Sequence, residues 1–130
     1  MANVLLVEDN PLLSQEYAES LDKYGFRVIS VYDGSEVEEI IDKENIDIVV
    51  SDTDMPLVPG NVACKQLLDS GKIKNKLIVG MSSSRYLNEY WKGIAHNFIP
   101  KKKIHNLGKI IQTLYMRFKE NPNMQRYGDL

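Results

Sequence analysis

Apolar positions along the chain follow two alternating rhythms. Val4-Leu5-Leu6-Val7 is a short unbroken apolar run, the pattern of a strand buried on both faces. Leu13, Tyr17, Leu21 and Tyr24 then recur at helical spacing. Asn10-Pro11 signals the start of that helix and Gly25 its end. The same pair of rhythms returns with a strand at Val28–Val31, a turn at Asp33-Gly34, and an acidic helix carrying Val37, Ile40 and Ile41. A third strand runs Ile46–Val50, and a third helix carries Val62, Ala63, Leu67 and Leu68, stopping near Ser70-Gly71. Leu77–Met81 is the fourth strand, and a short helix is predicted from about Arg85 to Gly93. Asn97–Pro100 is a fifth, weak strand, and its proline, which cannot donate to a ladder, places it at a sheet edge. A last helix presents Ile104, Leu107, Ile111, Leu114 and Phe118 on one face.

Strand and helix therefore alternate five times, which calls for an α/β fold: a parallel sheet with helices on both faces and right-handed crossovers. Tyr86, Tyr90 and Trp91 crowd the short helix, and two of the three are expected to pack inward. The stretch from Glu120 to Leu130 is polar, contains Asn121-Pro122-Asn123, and reads as a frayed tail.

Composition narrows the classes without naming one. A length of 130 residues favours one domain with a real core. A net charge of −2 gives no global pull toward nucleic acid or membrane. The apolar runs are too short to span a bilayer, and the start lacks a signal-peptide layout. Cys64 is alone, so there is no disulfide framework. The expectation is a soluble cytoplasmic protein.

The chemistry gathers where strands end. Glu8 and Asp9 follow the first strand, Asp52 the third, Ser82 the fourth and Lys101 the fifth. In a parallel sheet these ends share one rim, and a reversal of strand order between the first and third strands brings Glu8, Asp9 and Asp52 into one crevice. Three adjacent carboxylates call for a cation, and an all-oxygen site suits Mg²⁺. One carboxylate can act as nucleophile toward a phosphoryl group, with a lysine ammonium and a serine hydroxyl on its oxygens. Each group also has a plainer role. Glu8 and Asp9 suit a helix N-terminus, Ser82 suits a cap, Lys101-Lys102-Lys103 suits a solvated charge run, and Asp52 and Asp54 suit a turn.

The ordered set VLLVEDN, DTDMPLVPG, MSS and FIPK resembles the receiver domain of bacterial two-component response regulators, over roughly Asn3 to Lys119. The resemblance implies a three-layer, doubly wound, five-stranded parallel sheet of flavodoxin-like order 2-1-3-4-5. It implies a receiver domain over residues 1–119 followed by the polar tail 120–130. Asp52 would accept a phosphoryl group from a phosphohistidine donor. Glu8, Asp9 and Asp52, with the backbone carbonyl of Asp54, would bind Mg²⁺, and Ser82 and Lys101 would bind the phosphoryl group. Phe98 takes the place of the family's switch aromatic, and Asp54 and Ser84 take two variable positions that tune phosphoryl lifetime. The implied partners are a sensor histidine kinase or histidine phosphotransfer protein and an output protein, with a weak dimer on phosphorylation and no direct contact with nucleic acid or membrane.

The chain departs from the family in three places. Lys102 follows Lys101 where a cis proline is usual, and a trans bond is expected there. The stretch from Ser82 to Phe98 is short by roughly one helical turn. Asp54 adds a fourth carboxyl. There is also no room after the last helix for a helix-turn-helix output module, so the expectation is a single-domain regulator or a piece of something longer. Two other functions compete with the signalling switch. One is a receiver-like docking module that phosphorylation does not regulate. The other is an aspartyl-phosphate phosphatase, since Asp52-Thr53-Asp54 also resembles the nucleophile motif of haloacid dehalogenase-type enzymes.

Overall fold

The computed structural model describes residues 1–129, the Arg85 side chain apart. Its strands are β1 (Asn3–Val7), β2 (Arg27–Val31), β3 (Ile48–Asp52), β4 (Leu77–Ser82) and β5 (Asn97–Pro100). Its α-helices are α1 (Pro11–Lys23), α2 (Val37–Lys43), α3 (Gly60–Asp69) and α4 (Leu107–Glu120). All pairings are parallel, in the order β2-β1-β3-β4-β5. Pro100 thus lies on an edge strand, as expected, and the order reverses between β1 and β3, as the resemblance implies.

Alternation along the central strands sorts their side chains to two faces. Val4, Leu6, Ile48, Val50, Leu77 and Val79 pack with Leu21, Leu107, Ile111, Leu114 and Phe118 beneath α1 and α4. Leu5, Val7, Val49 and Ile78 pack on the other face with Val37, Ala63, Cys64 and Leu67 of α2 and α3. The result is three layers. Asn10 caps α1, its Oδ1 accepting from Leu12 and Leu13 N–H at 3.0 and 3.1 Å, and Pro11 takes the first helical position.

Between β4 and β5 the connection is a 3₁₀ helix, Arg85–Trp91, in place of the α-helical pattern read from the sequence. Only one of its three aromatics packs inward, not two. Trp91 is fully buried, whereas Tyr86 and Tyr90 are 74% and 56% exposed. A short 3₁₀ turn has room to send one ring into the core, and Gly80 on β4 supplies the seat. A Cβ on Gly80 would lie 2.4 Å from the indole, so only glycine lets the ring lie this close to the sheet.

The C-terminal segment is docked rather than frayed. Tyr127 N–H donates to Ala95 O at 2.7 Å, Gly93 N–H donates to Tyr127 O at 2.8 Å, and Arg126 Nη1 donates to Ile94 O at 2.6 Å. The Tyr127 ring lies 6.2 Å from that of Phe98, and its hydroxyl accepts from Asn88 Nδ2 at 2.8 Å. Leu130, the end of the predicted tail, lies outside the described residues. The peptide bonds of the described residues are trans, the Lys101–Lys102 bond included. None of the described helices is long and apolar enough to cross a membrane.

Candidate phosphoacceptor site

The strand ends β1 and β3 flank the reversal of strand order, and their carboxylates meet there. Ligand oxygens of Glu8, Asp9 and Asp52 lie within 4.8 Å of one another. Glu8 and Asp52 are buried and Asp9 is exposed, so the group has a dry side and a wet side. Glu8 Oε2 accepts from Asn10 N–H at 3.0 Å, which ties the cluster to the start of α1.

Lys101 reaches this point from β5, across β4. Its ammonium is 2.6 Å from Glu8 Oε1 and 3.1 Å from Asp52 Oδ2. Beyond this ion pair with Lys101, buried Glu8 Oε1 has no other donor among the described residues. A buried carboxylate oxygen without a further donor, beside two other carboxylates, is a donor set that fits a hard divalent cation. Burial pushes Asp52 up, the charge of Glu8 adds to it, and Lys101 and the Thr53 N–H offset only part, leaving its pKa at about 7. For Lys101, burial alone would lower the pKa, but Glu8 and Asp52 outweigh it and hold the ammonium above its usual value.

Ser82 ends β4 one residue past Met81, the register partner of Asp52. It is buried, and its Oγ accepts from Ser84 N–H at 3.1 Å. The turn-holding role open to it from sequence is therefore filled, with the hydroxyl hydrogen still available as a donor. Lys101 opens a 3₁₀ turn, Lys101–Lys103. It is largely buried while Lys102 and Lys103 are exposed, so the charge run divides into one site residue and two surface ones. The Asp54 side chain is exposed and lies outside the carboxylate group. Phe98 is buried against Tyr127.

Three residues have parts in the site beyond those read from the sequence, where Gly60 was only the glycine that ends the loop. Asp33, read only as a turn residue, clamps the loop after β3. Its Oδ1 accepts from Ser35 and Val58 N–H at 2.9 and 3.0 Å, and its Oδ2 accepts from Leu57 N–H at 2.9 Å. Burial alone would raise its pKa, but these N–H groups outweigh it and lower it. Gly60 closes the same loop: a Cβ there would stand 2.0 Å from Asp52 O, so α3 can start against the end of β3 only with glycine. Thr53 is the third. Its N–H donates to Asp52 Oδ1 at 2.8 Å, and its buried hydroxyl donates to Met81 O and accepts from Trp91 Nε1, each at 2.8 Å. The Asp33-Gly34 dipeptide was a local signal for the first. The other two depend on what the fold brings beside them.

Comparison with known proteins accords with this geometry. The pattern of the response regulator receiver domain matches residues 4–113. The chain is 33% identical over 101 residues to the transcriptional regulatory protein CutR of Streptomyces coelicolor, covering 75% of this chain and 46% of that one. It is 36% identical over 78 residues to the CAI-1 autoinducer sensor kinase/phosphatase CqsS of Vibrio cholerae, covering 59% of this chain and 11% of that one. The chain thus spans less than half the length of these relatives. Among solved structures, the chemotaxis response regulator CheY4 of Vibrio cholerae superposes with a TM-score of 0.76 at 24% identity, covering 89% of this chain and 98% of that one. The response regulator TrrA of Thermotoga maritima, solved in complex with Mg²⁺-BeF, superposes with a TM-score of 0.76 at 20% identity over the same shares. The chain belongs to the response regulator receiver domain family, the phosphoacceptor module of two-component signalling.

Proposed function

We propose that Asp52 takes a phosphoryl group from a phosphohistidine on a sensor histidine kinase or histidine phosphotransfer protein, and that the phosphorylated chain presents a changed surface to an output partner in the cytoplasm. The observation that carries this reading is the placement of Asp52. One oxygen is held by the Thr53 N–H and the other by Lys101, beside Glu8 and Asp9. An Asp52 oxygen attacks phosphorus, the P–N bond to the donor imidazole breaks, and the imidazole keeps the electron pair and takes a proton from solvent. Lys101 and the Ser82 hydroxyl bind the phosphoryl oxygens. Glu8, Asp9 and Asp52, with the backbone carbonyl of Asp54, would hold Mg²⁺, which when bound offsets the negative charge of the transferring group. The gain of a dianion beside Ser82 and Lys101 then biases the chain between two surface states.

The outward position of the Asp54 side chain favours a switch over a phosphatase. A turnover enzyme built on Asp52-Thr53-Asp54 needs the second aspartate at the reacting atoms, and this one is exposed, away from the carboxylate group. Phosphoramidate, a small P–N donor, tests the reading. Incubated with Mg²⁺, the chain should gain one acyl phosphate, mapped to Asp52 by borohydride reduction and peptide mass. A label mapped elsewhere contradicts it.

A further inference from the structure

The buried indole of Trp91 is tied to the phosphoacceptor through one side chain. Trp91 Nε1–H donates to Thr53 Oγ1 at 2.8 Å, and that hydroxyl donates to Met81 O at 2.8 Å. The Thr53 N–H holds Asp52 Oδ1 at 2.8 Å. Indole is a donor only, so the hydroxyl must accept from it and spend its single hydrogen on Met81. Every polar group of Thr53 is thereby committed, its carbonyl accepting from Gly60 N–H at 2.9 Å. Thr53 is 2% exposed and Trp91 0%, so no water competes for these bonds.

We infer that Trp91 is a positioning residue for Asp52: through Thr53 it sets the spacing of the β3 and β4 ends and joins the phosphoacceptor to the Arg85–Trp91 segment. The inference rests on the proposed function and adds to it the route by which the site reaches the surface. Met81 O belongs to the peptide that leads into Ser82, so the Thr53 hydroxyl spans the two strand ends that must meet one phosphoryl group. Gly80 lies directly beneath the ring, so the indole cannot settle toward the sheet, and its shift on phosphorylation is passed to the turn that bears exposed Tyr86 and Tyr90. Coupling of this kind is reciprocal: whatever holds the turn also alters phosphoryl occupancy at Asp52.

Trp91 is the sole tryptophan, so the tryptophan emission comes from this indole alone. The test follows emission and intact mass together while acetyl phosphate and Mg²⁺ are added to the wild type and to Thr53→Val, Thr53→Ser and Asp52→Asn. Thr53→Val keeps the shape of the side chain and removes the hydroxyl. The wild type should gain one phosphoryl mass with an emission step of the same time course. Thr53→Val should gain the mass about tenfold more slowly with no emission step, Thr53→Ser should restore the step, and Asp52→Asn should show neither change. Melting of each variant confirms that it is folded at the assay temperature. If the wild type gains mass while emission stays flat, or Thr53→Val matches it in both readouts, the positioning role is overturned and the proposed function stands. If the wild type gains no mass, both fall.

Discussion

Lys101 Nζ stands 3.1 Å from Asp52 Oδ2, although Asp52 ends β3, Lys101 follows β5, and β4 lies between those strands. The lysine bridges the rim of the sheet, and its stem is covered while its head lies between two buried carboxylates. Replacing it by Met keeps the length and removes the charge. A charge-assisted hydrogen bond from the ammonium to a phosphoryl oxygen contributes roughly 1.5–3 kcal/mol. Lys101→Met should therefore slow phosphorylation of Asp52 by roughly 10- to 100-fold. A labelling rate equal to the wild type would contradict the placement of the lysine on the phosphoryl group.

The carboxylate cluster makes an opposite demand on stability. The folded pKa of Asp52 is about 7, above its ordinary value, because burial and Glu8 oppose its charge. The native state then binds the extra proton, so this residue's contribution to stability is full at low pH and is lost as pH rises through 7. Asp52→Asn should melt higher than the wild type in metal-free buffer at pH 8. Mg²⁺ at a hundredfold excess over its dissociation constant should stabilise the wild type by about 2.7 kcal/mol and the mutant by less. A metal-free mutant that melts lower, with Mg²⁺ shifting neither protein, would mean that the carboxylates do not converge.

His96 acts in the other direction. It is buried, its Nδ1 accepts from Ile78 N–H at 3.1 Å, and its ring packs edge-on against Phe118. Burial lowers its pKa to about 4, with Arg126 adding to the effect. The native state excludes a proton that the unfolded chain binds below pH 6.5, so its contribution is present at neutral pH and lost as pH falls toward 4. A gap of this size amounts to roughly 3 kcal/mol. The stability difference between the wild type and His96→Gln, measured by denaturant titration, should narrow between pH 7 and pH 4. A difference that holds steady over that range would show that His96 is not held neutral.

Tyr127 ties the C-terminal segment to the body of the domain. Its ring lies against Phe98, and its hydroxyl meets Asn88 in the Arg85–Trp91 3₁₀ helix. Tyr127→Ala should cost roughly 1–3 kcal/mol through the lost packing and the unpaired Asn88 amide. Amide exchange should rise first in residues 85–95, and unchanged exchange there would show that the segment is not a brace.

How much of this was legible depended on the distance over which the signal travels. The strands were legible because Val4–Val7 and Leu77–Met81 are apolar on both faces, which few other structures tolerate. The rim groups were legible because each lies at the end of its strand or directly after it. The number of inward-facing aromatics was misjudged, two being expected and only Trp91 found, because the seat for a ring is Gly80 of β4, whose empty Cβ position has no local signature. The tail was misread because its partners Ala95, Asn88 and Phe98 lie 29 to 39 residues upstream of Tyr127, and polarity alone resembles fraying. The role of Thr53 had no local sign because its two hydroxyl partners, Met81 and Trp91, are joined to it only by the fold.

The central claim is that Asp52 is the phosphoacceptor, and intact mass spectrometry after incubation with acetyl phosphate tests it most directly. With Mg²⁺ the wild type should gain the mass of one phosphoryl group, without Mg²⁺ it should gain little, and Asp52→Asn should gain none. Equal labelling of wild type and Asp52→Asn, or no labelling of either, would contradict the account.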